Sequence, residues 1–202
     1  MMSAYLIQLH KEIDHYGKLY PQAEIKSIYF GGGTPHLIGT KALIQLISHI
    51  EQVFDCENVA ELSFEANPFP QEEILHVVDT LNTQYAKRPR VRYSFGIQSF
   101  DNAVLTKAGR PYSFLGMVDF LRALQPLKQD NNVFNFDFIA FGKFNQTKRG
   151  HSQLRTPSAF SFFSDVVNAQ FADSFSLYTL EFSEHQRRNR EKKADLLARG
   201  CF

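Results

Sequence analysis

Gly31-Gly32-Gly33-Thr34-Pro35 is the segment of this 202-residue chain best suited by composition to touch a ligand. Glycines let a backbone approach a bound molecule closely and leave amide and carbonyl groups free to hydrogen-bond it. The run follows an apolar stretch, Ile25 to Phe30, and precedes a helical one, as a turn at the carboxyl end of a strand would. It has neither the lysine of a phosphate-binding loop nor the spacing of a dinucleotide fingerprint. A purely structural turn is the alternative. Glu65 ends an alternating run from Glu61, Gln98 closes one from Val91, and Tyr178 lies near the end of another from Phe175. Asp137 sits near the middle of a run from Phe134 to Phe141. The carboxyl ends of strands are where α/β folds gather their sites. Simpler readings exist for each residue. Glu65-Ala66-Asn67-Pro68 would serve as a turn in which Asn67 bonds its own backbone. Gln98 would cap a helix starting near Asp101, and Asp137 would pair with a buried lysine or arginine.

The elements that must position these groups follow from periodicity. Apolar residues at Tyr5, Leu9, Ile13 and Tyr16 predict a helix, as do Leu43 to Phe54 and Ile74 to Tyr85. Further helical stretches run from Asp101 to Ala108, from Phe114 to Leu127 with Ser113 as N-cap, from Pro157 to Asn168, and from Glu184 to Arg199. Between them Ile25–Phe30, Glu61–Glu65, Val91–Ile97, Phe134–Phe141 and Phe175–Leu180 read as strands, the first of them buried. Strand–helix alternation implies parallel pairing. Five strands are too few to close an eight-stranded barrel. The expected fold is α/β: a partial, open TIM-like barrel of parallel strands with outer helices, a doubly wound sheet being the alternative. The chain opens on a helix where such a repeat expects a strand, so the first strand is expected to be missing from the front. Gly142 to Thr156 reads as a long loop. Alternation also sorts the faces: Leu62, Phe64, Tyr93, Phe95, Ile97, Phe134, Phe136 and Phe138 turn to the helices. Ser63, Glu65, Ser94, Gly96, Gln98, Asn135 and Asp137 turn to the centre, where a packed barrel would carry Val, Ile and Leu.

Bulk properties narrow the function. Twenty-two basic and twenty-one acidic residues give no electrostatic reason to expect nucleic acid or membrane as partner. No run is long enough to span a bilayer and no signal-peptide core opens the chain, so a cytoplasmic protein is expected. Two cysteines, Cys56 and Cys201, cannot by themselves hold a metal cluster and read as reduced and structural. The seven histidines show no i, i+4 ligand pairing.

Several segments then match one family in order. Tyr29-Phe30-Gly31-Gly32-Gly33-Thr34-Pro35, Leu62-Ser63-Phe64-Glu65-Ala66-Asn67-Pro68, Ser94-Phe95-Gly96-Ile97-Gln98-Ser99-Phe100-Asp101, Gly109-Arg110-Pro111-Tyr112-Ser113, Phe136-Asp137-Phe138-Ile139 with Gly142 and Gln146-Thr147, and Ser176-Leu177-Tyr178-Thr179-Leu180-Glu181 are the matching pieces. Together they resemble radical S-adenosylmethionine (SAM) proteins of the oxygen-independent coproporphyrinogen III oxidase and HemW-like family. The resemblance runs from about residue 5 to 182. It implies a partial radical SAM barrel over residues 1–182 and a charged C-terminal helix over 183–202. It also implies SAM as cofactor, with Gly32, Gly33 and Thr34 holding the methionine end. Glu65, Gln98, Arg110 and Asp137 would contact its amino acid, ribose or carboxylate groups. Arg110 suits a carboxylate and Asp137 suits ribose hydroxyls. Heme or porphyrin is a further candidate ligand, and Ser99 tilts the resemblance toward the HemW-like branch.

The departures concern the cluster. The family's CxxxCxxC motif, expected ahead of Tyr5, occurs nowhere in this sequence, so no residue here is expected to bind metal. Three thiolates hold the family's 4Fe–4S cluster. Without them the chain is expected to be a truncated, catalytically inactive piece of an oxidoreductase-family protein. The alternative is a non-catalytic heme or porphyrin carrier. Gly142-Lys143-Phe144-Asn145 replaces the family's Gly-Leu-Pro-Gly.

Overall fold

The computed structural model of the chain describes residues 2–140 and 171–179. Its five strands are β1 (Ser27–Phe30), β2 (Glu61–Ala66), β3 (Arg90–Gln98), β4 (Asn132–Ala140) and β5 (Ser174–Thr179). They lie side by side in chain order, and every pairing is parallel. The helices are α1 (Met2–Leu19), α2 (Thr40–Val53), α3 (Gln71–Gln84), α4 (Asn102–Lys107) and α5 (Phe114–Leu124), with short 3-10 turns at Pro35–Ile38 and Gln125–Leu127. This is the expected α/β arrangement, an open sheet consistent with part of a TIM-like barrel. The predicted loop Gly142–Thr156, the helices Pro157–Asn168 and Glu184–Arg199, and Cys201 lie outside the described residues.

Strand alternation builds the core. In β2, Leu62, Phe64 and Ala66 are buried while Glu61, Ser63 and Glu65 are partly exposed. Tyr93, Phe95 and Ile97 of β3 and Phe134, Phe136 and Phe138 of β4 continue the apolar face. Leu43 and Ile47 of α2, Ile74, Val77, Val78 and Leu81 of α3, and Met117, Phe120, Leu121 and Leu124 of α5 cover it. The abundance of phenylalanine finds its explanation here. The Phe95 ring meets those of Phe120, Phe134 and Phe136 edge-on at 5.4, 5.5 and 6.1 Å and stacks on Tyr93 at 6.0 Å. Such pairs contribute beyond the area they bury.

Asn82, Asn132 and Thr40 are buried and paired. Tyr93 donates to Asn82 Oδ1 at 3.2 Å, and Asn132 Nδ2 donates to the same oxygen at 3.1 Å, tying α3 to two strands. At the start of α2, Glu73 of α3 accepts from the Thr40 backbone N–H at 2.9 Å and from its hydroxyl at 3.0 Å. An otherwise orphan helix-terminal donor is thereby satisfied from a neighbouring helix. Ser113 caps α5 as expected, accepting from Gly116 N at 3.2 Å.

Two expectations need correction. β1 is not a buried strand: its residues alternate exposed and half-buried, because among the described residues it pairs on one side only. It is also shorter than predicted, Glu24 making only an isolated bridge to Asp55. The N-terminal helix likewise forms without burying any residue. It approaches α2 at Gly17, where a Cβ would sit 2.2 Å from Val53 Cγ1, and at His49, which meets Asp14 at 2.9 Å and the His10 ring at 4.7 Å.

Phe95→Ala should therefore cost about 3–5 kcal/mol of stability, the usual range for emptying a packed aromatic site. Leu115→Ala, at a side chain 70% exposed, should stay within about 0.5 kcal/mol. Urea unfolding midpoints of the two variants check the contrast.

Candidate functional site

The face of the sheet opposite the helices carries the polar residues, and register sets them in rows. Glu65 lies opposite Ser94, Ser94 opposite Asn135, and Asn135 opposite Ser174. Asp137 lies opposite Ser176. At the carboxyl end of the sheet these rows open into a cavity of about 420 Å³, within the size range of small-ligand sites. Gly33, Thr34, Glu65, Gln98, Arg110 and Asp137 all line it, together with Asn67 and Tyr178. Gly32 lines an adjoining apolar pocket instead.

The glycine turn is held by Glu65. One carboxylate oxygen accepts from Gly32 N at 3.0 Å, and the other accepts from the Tyr29 hydroxyl. That bond, with burial and the Glu65 charge adding, pushes the Tyr29 phenol up to about 12. Gly32 and Gly33 have φ of 81° and 155°, a region that side chains other than glycine rarely enter. A carboxylate has about four acceptor sites, so these two bonds leave Glu65 able to accept from a ligand.

Asn67 differs from its simpler reading. Its side chain is not spent on its own backbone but donates to Thr34 Oγ1 at 2.8 Å and accepts from an Arg110 terminal nitrogen at 3.4 Å. It thus bridges the glycine turn to the guanidinium. The Nε of Arg110 is buried and has no hydrogen-bond partner among the described residues. A buried donor of a charged group left unpaired is costly, and an anionic group in the cavity would relieve it.

Gln98 does not cap the following helix. Asp101 does so with its own carboxylate, accepting from Ala103 N and Val104 N. Between Phe95 and Gln98 the pairing with β4 slips by one residue, placing Gln98 opposite Phe138. This bulge, with Gln98 at φ 67°, brings the amide into the cavity at the strand's end. Gly96 leaves room beside it, since a Cβ there would meet Gln98 Nε2 at 2.7 Å and Asn67 Oδ1 at 2.9 Å and displace these side-chain ends. Tyr112 anchors the same turn by donating to Gly96 O at 2.6 Å.

Among the described residues Asp137 has no basic partner within salt-bridge reach. Its carboxylate is met by Asn135 Nδ2 at 2.6 Å and by the Ser176 hydroxyl. Burial raises its pKa above the ordinary aspartate value and the Glu65 charge adds to this, while the Ser176 and Asn135 bonds and the Arg92 charge oppose it. The roles of Asn67, Tyr29 and Asn135 were not read from the sequence. Asn135 carried a signal as the second polar residue on the face that Asp137 shares, while Asn67 and Tyr29 stood only within the matching segments and the proposed turn.

Metal ligands are not gathered anywhere: among the described residues no three His, Cys, Asp or Glu side chains could hold an ion together. Cys56 stands in the loop before β2, at the opposite end of the sheet from the cavity, and burial raises its thiol pKa. No helix among the described residues is long and apolar enough to cross a membrane.

Comparison with known proteins agrees with the motifs. The chain is 31% identical over 143 residues to the heme chaperone HemW of Buchnera aphidicola from Schizaphis graminum, covering 71% of this chain and 35% of the relative. Against the heme chaperone HemW of Lactococcus lactis it is 31% identical over 121 residues, or 59% of this chain and 30% of the relative. It is 30% identical over 100 residues to the oxygen-independent coproporphyrinogen III oxidase of Salmonella typhimurium, 50% of this chain and 21% of that protein. The matched segment spans about a third of the length of the two HemW relatives. No family model matches the chain.

Asp137→Asn is expected to raise Tm at pH 7. A carboxyl whose folded-state pKa is raised favours folding while protonated, and that contribution is lost as pH rises through the folded value. The neutral amide avoids this loss, so its advantage should shrink as pH is lowered through the carboxylate range. Thermal melts from pH 3 to 8 check this; a lower Tm for the variant at pH 7 would contradict it.

Proposed function

Because this chain is a distant homologue of the HemW heme chaperones and oxygen-independent coproporphyrinogen III oxidases of the radical SAM family, we propose that its cavity binds S-adenosylmethionine, as part of a protein of heme or porphyrin metabolism. The observation that carries this reading is the set of groups brought together: an unpaired, buried Arg110 Nε, the Gly33–Thr34 turn, and Gln98 and Asp137 around one cavity of about 420 Å³. An amino-acid carboxylate answers the guanidinium, and an ammonium group answers the carbonyl-rich turn and Glu65. Vicinal hydroxyls answer the Asp137 carboxylate, whose two oxygens keep acceptor sites beyond those used by Asn135 and Ser176 when ionised. Gly32 acts one step back, through its bond to Glu65.

SAM serves this family, when bound beside a reduced 4Fe–4S cluster, as a source of radical hydrogen abstraction. The residues of this chain fit the cofactor and do not fit the cluster. It has two cysteines, and Cys56 faces away from the cavity end. We therefore propose that the chain as given binds the cofactor without performing radical chemistry, residues 1–182 being part of the family's barrel. A second reading, heme or porphyrin carriage, draws on the adjoining pocket of about 490 Å³, whose walls include Met2, Tyr5, Leu9, Phe30 and Ile38. A flat apolar ring would suit it.

Calorimetry of SAM on wild type should show binding. Arg110→Ala and Asp137→Ala should each weaken it about ten- to a hundredfold, as removal of one charge-assisted contact does. Unaltered affinity in both variants would refute this cavity as the site. Anaerobic reconstitution with iron and sulfide, followed by dithionite reduction, should yield no 4Fe–4S signal by electron paramagnetic resonance. In an absorbance titration, a spectral shift at micromolar heme would instead favour the carrier.

A further inference from the structure

We propose that Asn135 is the positioning residue of the cavity, fixing the Asp137 carboxylate toward bound hydroxyls and linking it to the strand beyond. The role at the ligand rests on the cavity's being a SAM site; the role toward Asp137 rests on geometry alone. Asn135 is 2% exposed, on the face that elsewhere opens to the cavity. A buried amide of this kind is retained only where each donor and acceptor is answered.

One arrangement answers both ends of the amide by its shorter contacts; Ser94 Oγ at 3.5 Å from Nδ2 and the Ser176 hydroxyl at 3.3 Å from Oδ1 are longer alternatives. Asn135 Nδ2 donates one hydrogen to Asp137 Oδ1 at 2.6 Å and the other to Ser176 Oγ at 2.9 Å. Its Oδ1 accepts from Ser174 Oγ at 2.7 Å. The single Ser176 proton is then free to go to the Asp137 carboxylate, which the serine also bonds. Asp137 thereby receives two donors from its own surroundings, and its orientation is set by β4 and β5 together. Register makes this available: Asn135 pairs with Ser174 and Asp137 with Ser176. Both serines share the Asn135 face because a strand repeats every two residues.

The charged and titratable groups facing Asp137 are Glu65 on β2, Arg92 on β3, Tyr29 on β1, and Arg110 and Tyr178 on the cavity wall. Among the described residues none makes a salt bridge with Asp137, so the neutral donors Asn135 and Ser176 are what its carboxylate touches.

The test is a carbon-detected NMR titration of the Asp137 carboxyl in the ligand-free full chain, its signal identified by its loss in Asp137→Asn. Asn135→Leu should move the midpoint to higher pH, and Ser176→Ala, a gentler change on an outer strand, should move it the same way by less. Midpoints unchanged in both variants would overturn the proposal. SAM calorimetry across pH 5–8 supplies the second arm. Asn135→Leu should weaken binding roughly tenfold near neutrality, with its pH profile displaced upward. A loss equal at every pH would mean packing alone and would also overturn it. If wild type binds no SAM, the cofactor reading fails while the carboxyl titration still decides the role of Asn135.

Discussion

The register of the parallel strands is the constraint on which core and cavity both depend. In β4 the chain reads Phe134, Asn135, Phe136, Asp137, Phe138, alternating between aromatic core and polar cavity. A slip of one residue against β3 would exchange the two sets, burying a carboxylate under the helices and exposing the phenylalanines. Packing of Phe95 against Phe120, Phe134 and Phe136 therefore also places Ser94, Asn135 and Asp137. Specificity at the site is inherited from apolar packing on the reverse side of the same strands.

Against that regular frame, the chemistry sits where regularity breaks. The bulge in β3 and the positive φ of Gln98 depart from ideal strand geometry at the cavity's edge. Strain of this kind costs about 1–3 kcal/mol per residue and persists only where its surroundings enforce it. Here Tyr112 holds Gly96 O, and Gly96 leaves the room that Gln98 and Asn67 occupy. On the neighbouring strand, Glu65 holds the glycine turn through Gly32. A half-exposed face on an all-parallel sheet, which normally has both faces covered, fits a surface reserved for a ligand.

Much of the fold was legible in the sequence because periodicity reports local geometry directly. All five strands and the helices within the described residues fall within a few residues of their expected places, and Ser113 caps the helix assigned to it. The exposure of β1 was not legible, since its apolar run Ile28–Tyr29–Phe30 looks the same on an edge strand as inside a sheet. Nor was the Phe95-centred cluster, because alternation shows which face a ring takes but not which rings meet.

By itself the sequence determined the order and type of the elements, the two faces of each strand, the family likeness and the want of cysteines for a cluster. Those properties follow from residue type and spacing along one segment at a time. Only the tertiary structure decided that Asn67 joins Thr34 to Arg110, that Glu65 grips Gly32 and Tyr29, and that Asn135 stands between Asp137 and the serines of β5. Apart from the Asn135–Asp137 bond, which lies two residues along β4, these contacts join residues 33 to 43 positions apart. Their partners are set by register and bulge, which arise from packing between segments and leave no periodic trace within one.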